Sequence, residues 1–230
     1  METELPGTLL GAGRNADVYD VGGGRVLRRY RDGRDAAAVE REAQVMAHAR
    51  AHGVPVPEVF EVAGSDIVME RATGPTMLEV LGRRPWSLGR QARLLARLHD
   101  TVHRAPALPG LRAPCGDEDL DSQVLVHRDL HPMNVILTPA GPVIIDWEGA
   151  GRAPAMYDVA LTWVIIASSV VPDNGLAAAV VRGVQAQLTR SFVRAAGPID
   201  QAWRALAIRD RLLDRNVLPA ERARLERLPH

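Results

Sequence analysis

Apolar and polar positions along the chain follow two regimes. Through the first seventy residues, short apolar runs alternate with glycines. Thr8-Leu9-Leu10 runs into Gly11-Ala12-Gly13, and the runs Asp17–Val21 and Arg25–Tyr30 flank Gly22-Gly23-Gly24, a pattern that predicts a β-hairpin. From Asp35 to His52 the period changes: Val39, Ala43, Val45, Met46 and Ala49 recur at helical spacing, and Gly53 ends the helix. Val54-Pro55-Val56-Pro57 dictates an extended segment, because proline restricts both itself and the residue before it. Val59–Val62 and Asp66–Glu70 read as another strand pair.

Beyond Thr73-Gly74-Pro75 the pattern is mainly helical. Ser87 is placed to cap a helix to about His103, with Leu88, Ala92, Leu95, Leu98 and His99 along one side. Residues 105–122, rich in Pro, Gly and Asp, read as a loop. Val124–Val126, Val135–Leu137 and Val143–Ile145 are short apolar strands, the last two turning at Pro139-Ala140-Gly141. Helical patterns then cover about 156–170, 174–195, 199–214 and 219–228. The apolar stretch near Val159–Val171 falls short of the ~20 residues that span a bilayer and reads as a buried helix. The expected organisation is α+β: a strand-rich lobe over residues 1–70 with one helix, then a larger helical lobe over 71–230, with the cleft between lobes as the expected ligand site.

Composition narrows the class. The chain has 230 residues and zero formal net charge, so no basic field recruits nucleic acid or a membrane. The acidic start Met1-Glu2-Thr3-Glu4 lacks the apolar core of a signal peptide. The single cysteine, Cys115, forms no internal disulfide and reads as a bystander, and a cytoplasmic location is expected. All 28 basic residues are arginine, which matters wherever a phosphate site would use lysine.

The chemistry concentrates in residues 127–146. His127-Arg128-Asp129-Leu130, with Asn134 five residues after Asp129, matches the kinase catalytic-loop pattern H-R-D-L-x-x-x-N at each fixed position. A carboxylate at Asp129 suits a base that accepts the proton of an attacking hydroxyl. Asn134 offers an amide oxygen and Asp146, after an apolar run, a carboxylate oxygen, the hard donors that Mg2+ prefers when it bridges nucleotide phosphates. The two strands between them are expected to return both ligands to one edge. His127 reads as a loop anchor. For His131 a substrate-side role and a packing role stay open.

The run VHRDLHPMNVIL followed by VIIDWEGAGRAPAMYDVA resembles the aminoglycoside phosphotransferase and choline kinase-like family of small-molecule kinases. The resemblance implies a two-lobed protein-kinase-like fold, with a small antiparallel-sheet N-lobe carrying one helix and a larger, mainly helical C-lobe. It also implies transfer of the γ-phosphate of ATP or GTP, with Mg2+, to a small-molecule hydroxyl. Asp146-Trp147-Glu148 replaces the protein-kinase D-F-G, and the next helix begins near Met156, leaving no room for an activation segment. The same resemblance makes Asp158 a support of the catalytic loop.

The remaining site residues are nucleotide-side candidates. Gly11 and Gly13 belong to a glycine-rich turn, Gly11-Ala12-Gly13-Arg14-Asn15-Ala16, that lies between strands, as a kinase phosphate loop does, although Ala16 stands at the third glycine. By resemblance the strand-three lysine falls on Arg28, and its glutamate partner on Glu42, with Glu40 in reserve. Met69 would flank the adenine, and the backbone of Glu70 and Ala72 would hydrogen-bond it. The acidic run Asp117-Glu118-Asp119-Asp121 reads as a solvated loop or as an attractant for a polycationic acceptor. Aminoglycosides, other antibiotics, amino alcohols, sugars and metabolites are all admissible acceptors, and oligomeric state is not legible. Arg28 and Ala16 motivate an alternative, a nucleotide-binding pseudokinase with a regulatory or scaffolding role. A protein kinase is disfavoured by the missing activation segment.

Overall fold

The computed structural model describes residues 7–13, 15–31, 34–114, 123–170, 176–214 and 217–229. Arg14, Cys115, the acidic run 117–121 and the first four residues lie outside them. The chain divides into two compact units, one formed by residues 1–74 with 136–148, the other by 75–135 with 149–230.

In the first unit, strands β1 (Thr8–Ala12), β2 (Ala16–Gly22), β3 (Arg25–Tyr30), β4 (Val59–Ala63) and β5 (Asp66–Glu70) form one sheet in the order β1-β2-β3-β5-β4. All its pairings are antiparallel. The β2–β3 turn is possible because Gly22, Gly23 and Gly24 all take positive φ. Helix α1 (Ala36–Ala51) begins where the Asp35 side chain accepts the Ala37 N–H. Its predicted apolar set, Val39, Ala43, Val45, Met46 and Ala49, is buried together with one charged residue, Glu42. A second hairpin, β7 (Val135–Thr138) and β8 (Gly141–Ile144), joins this unit through the Ile144 N–H donated to the Pro55 carbonyl at 2.7 Å. Gly74 approaches β7 so closely that a Cβ there would lie 2.3 Å from the Leu137 carbonyl oxygen.

The second unit is built around helix α4 (Ala155–Ser168). Its residues from Tyr157 to Ile166 are all buried, as an all-round apolar helix must be in water. Around it pack α3 (Leu88–Val102), α5 (Leu176–Ala196), α6 (Gln201–Leu213) and α7 (Pro219–Leu225). No helix among the described residues is long and apolar enough to cross a membrane. Strand β6 (Gln123–Val126) pairs antiparallel with β9 (Gly151–Pro154), placing Val126 opposite Gly151.

One local expectation differs from what forms, and two further elements, α2 and β9, form where none was assigned. Ser87 does not cap α3; it ends the 3-10 turn Pro85–Ser87 and donates its hydroxyl to the Arg84 carbonyl, so the chain enters the helix already coiled. Helix α2 (Met77–Arg83) arises from a capping box between Thr76 and Glu79. Strand β9, Gly-Arg-Ala-Pro, has little intrinsic strand preference and exists through its pairing with β6. A methyl group at Gly74 has backbone, not a flexible side chain, in its way. Gly74→Ala is therefore expected to lower stability by about 1–3 kcal/mol, read as a lower urea midpoint at unchanged slope.

Candidate functional site

In the second unit, the loop after β6 is fixed at its flanks by Leu125, Val126 and Leu130, all fully buried. Its backbone hangs from a single carboxylate. Asp158 on α4, 0% exposed, accepts the Arg128 N–H at 2.8 Å and the His127 N–H at 3.2 Å. It also accepts His103 Nε2–H at 3.0 Å. Burial pushes the Asp158 carboxyl up, but the hydrogen bond from His103, with the imidazole of His99 beside it, outweighs burial and holds the group well below the usual carboxylate range.

His99, equally buried, is oriented from its other side. Thr162 must donate to the Leu130 carbonyl at 2.7 Å, so in its 3.1 Å contact with His99 Nε2 the hydroxyl accepts and that nitrogen carries the proton. His99 Nδ1 then faces Asp158 Oδ2 at 3.4 Å. His99, His103 and Asp158 have the spacing of a metal site, but Asp158 already accepts three N–H groups, two of them from the loop.

Asp129 sits at the end of this suspended segment. Its N–H is donated to His127 Nδ1 at 3.3 Å, and His131 Nε2 lies 3.5 Å from its Oδ1. Burial raises the Asp129 carboxyl, but His131, then His127 and Arg211, bring it below its ordinary value, so it is a carboxylate at neutral pH. Asn134, 8% exposed, donates its amide to both the Asp129 carbonyl and Oδ2, each at 2.9 Å. With the nitrogen so committed, the amide oxygen is the atom left to meet a cation. Arg128 takes φ 67°, and Asp146 the same value; they are the two non-glycine residues with positive φ among the described residues. Such a conformation costs on the order of 1–3 kcal/mol and persists only where surrounding contacts enforce it.

In the first unit, Arg28 is the hub. Its guanidinium donates to Glu42 at 2.8 Å and to Asp146 at 2.7 Å, with Glu148 3.7 Å away. Glu40, the reserve partner, is exposed. Burial opposes the Arg28 charge, but Glu42 and Asp146 together raise its pKa. Burial likewise pushes the Glu42 carboxyl up despite Arg28 beside it, and Glu42 accepts the Tyr30 hydroxyl. Asp146 is the open member, with 42% of its side chain exposed. Arg34 and Asn15 hold Glu148, at 2.5 and 3.0 Å.

The other predicted residues lie along the same sheet. Gly11 is at a register shift between β1 and β2, and the Gly13 N–H closes the following turn on the Ala16 carbonyl at 2.8 Å. Met69 is buried on β5, Glu70 is exposed and Ala72 follows the strand. The Glu70 N–H is donated to the Glu58 carbonyl at 2.8 Å.

Sequence reasoning did not single out His103, Glu148, Arg34, Tyr157 or Asp210. The His99–His103 pair at i, i+4 was the available signal for the first. Asp210, inside Arg209-Asp210-Arg211, reads as an ordinary solvated helix charge.

Asp158 carries a pH signature. Its folded pKa lies below its unfolded one, so the stability it contributes is complete above the ordinary value of 3.8 and is lost as pH falls through the lower folded value. Asp158→Ala is expected to cost roughly 3–5 kcal/mol at neutral pH. The gap from wild type should narrow only below about pH 4, measured by urea denaturation across pH; a gap unchanged to pH 2.5 would contradict the assignment.

The profile of the phosphotransferase enzyme family (APH) matches residues 7–121 and 83–208. A probable serine/threonine-protein kinase BUD32 homolog from Archaeoglobus fulgidus is 28% identical over 106 residues, 46% of this chain and 42% of that protein, so the match spans less than half of the relative's length. Among solved structures, aminoglycoside phosphotransferase APH(4)-Ia superposes with TM-score 0.59 at 19% identity, covering 89% of this chain and 85% of that one. A choline/ethanolamine kinase family protein from Mesorhizobium loti gives 0.58 at 20%, covering 90% and 75%. Amicoumacin kinase hAmiN, in complex with AMP-PNP, Ca2+ and Ami, gives 0.54 at 17%, covering 96% and 86%. At these identities the structural likeness establishes the fold, α+β and kinase-like, and the profile, spanning most of the sequence, establishes the lineage: the chain belongs to the phosphotransferase enzyme family.

Proposed function

We propose that this protein is a small-molecule kinase that moves the γ-phosphoryl group of ATP or GTP to a hydroxyl of its acceptor. The observation that carries this reading is the pairing of Asp129 with Asn134. One side chain is a carboxylate held ionised, and the other is pinned by its nitrogen so that its oxygen is free.

In this reading Asp129 accepts the proton of the attacking hydroxyl as its oxygen bonds to the γ-phosphorus and the bond to the β–γ bridging oxygen breaks, releasing the nucleoside diphosphate. Asn134 and Asp146 offer the amide and carboxylate oxygens that suit Mg2+; the ion, when bound, neutralises phosphate charge. Arg28, oriented by Glu42, turns a fork of N–H donors toward the nucleotide phosphates. The turn at Gly11 and Gly13 covers those phosphates. Met69 packs on the base, and the Glu70 carbonyl and Ala72 backbone read its edge. The family membership and the kinase neighbours support a small-molecule acceptor; the proposed hydroxyl bearer is an aminoglycoside, another antibiotic, an amino alcohol, a sugar or a metabolite. We place the enzyme in the cytoplasm.

The pseudokinase alternative draws on Arg28, which stands where lysine is expected and is already engaged by Asp146. The two readings separate by turnover. Asp129→Ala is expected to reduce nucleoside diphosphate release with a responsive acceptor by about 10²–10⁴-fold while nucleotide affinity stays near wild type. Equal turnover in both proteins would remove the catalytic assignment. Asp146→Asn should weaken Mg-nucleotide binding in calorimetry, and unchanged affinity would contradict its role as a metal ligand.

A further inference from the structure

Arg128 poses a problem that the catalytic reading does not solve. It precedes Asp129, is neither glycine nor asparagine, and holds φ at 67°. An L-residue with a long side chain stays in that conformation only if its surroundings enforce it. The Asp158 hydrogen bond fixes its N–H, but a single amide bond does not choose among backbone conformations for the residue that bears it. The side chain supplies the rest.

The Arg128 guanidinium donates to Asp210 Oδ2 at 2.5 Å. Asp210 lies on α6 and is 6% exposed. The Tyr157 hydroxyl, from the residue before Asp158 on α4 and 0% exposed, donates to the same oxygen. The stem of Arg128 crosses Gly151 on β9, where a Cβ would meet Arg128 Cδ at 2.9 Å and the Arg112 carbonyl oxygen at 2.5 Å. Three elements therefore converge on one arginine: α6 supplies the charge, α4 the hydroxyl, and β9 the space. A solvated helix aspartate would need none of this. Asp210 is instead the buried counter-charge of a buried cation.

We propose that Asp210 is a positioning residue for Asp129: by holding the Arg128 guanidinium, with Tyr157 and the gap at Gly151 completing the clamp, it enforces the left-handed backbone at residue 128 that aims the next side chain. The arginine is neutralised from within the fold, so the loop needs no external anion to order it. The catalytic consequence rests on Asp129 being the base, whereas the backbone consequence does not.

The test separates these two. Asp210→Ala should increase deuterium uptake in a peptide covering residues 125–131 by about tenfold in rate. It should also lower kcat about ten- to a hundredfold, with nucleotide KM within about twofold of wild type. Adding Arg128→Gly should restore protection and most of kcat, because glycine takes positive φ without a clamp. Adding Arg128→Ala should not, although it removes the same unpaired guanidinium. Rescue by alanine equal to rescue by glycine would overturn the inference, as would wild-type uptake in Asp210→Ala. If Asp210→Ala fails to fold, Asp210→Asn is measured in the same series with the same expected order. If wild type transfers no phosphoryl group, the uptake comparison still decides the clamp and the fault lies with the catalytic reading.

Discussion

A carboxylate in the protein interior is costly unless it is fully hydrogen-bonded, and the second unit is organised around one that is. Asp158 stays ionised without solvent because two loop amides and His103 donate to it. The dependence runs both ways. The amides of His127 and Arg128 have in that carboxylate their buried acceptor, and the loop in turn fixes Asp129 and Asn134 relative to each other. His99 and Thr162 then tie the same helix to the Leu130 carbonyl, so both flanks of the loop are referred to α3 and α4.

The first unit solves a different problem, how to keep a cation aimed. A lysine at position 28 would be a point charge on a flexible stem. Arginine's planar fork reaches Glu42 and Asp146 together. Tyr30 underlies the arrangement, with the Arg28 guanidinium 4.9 Å from its ring centroid and its hydroxyl on Glu42. The substitution that the sequence flags as anomalous thus has a complete set of partners. In each unit a left-handed, non-glycine residue stands among the candidate site residues, Arg128 before Asp129 in one and Asp146 itself in the other.

Legibility in the sequence followed the range of the forces involved. The apolar period of α1, the strand runs on either side of Gly22–Gly24 and the mainly apolar run of α4 are local patterns, and their elements formed where those patterns placed them. The catalytic-loop motif was legible because its spacing is fixed by geometry within a dozen residues. Strand β9 was not, since pairing with β6 makes it a strand and Gly-Arg-Ala-Pro has no period to read. Asp210 was not legible for the same reason: its partner Arg128 is 82 positions away in sequence, and on α6 alone it looks like any exposed helix charge. Thr76 and Glu79 did carry a capping-box signal for α2, visible in the letters Thr-Met-Leu-Glu.

The role proposed for these two sets of anchored side chains is phosphoryl transfer to a small hydroxyl compound. Phosphorus NMR of the wild-type protein with MgATP or MgGTP and a panel of aminoglycosides, other antibiotics, amino alcohols and sugars tests it most directly. For at least one acceptor, the γ-phosphate resonance is expected to decline and a phosphomonoester resonance to replace it, and chelation of magnesium is expected to stop the transfer. Saturating nucleotide binding with the γ-phosphate resonance intact across the panel would contradict it and favour a pseudokinase.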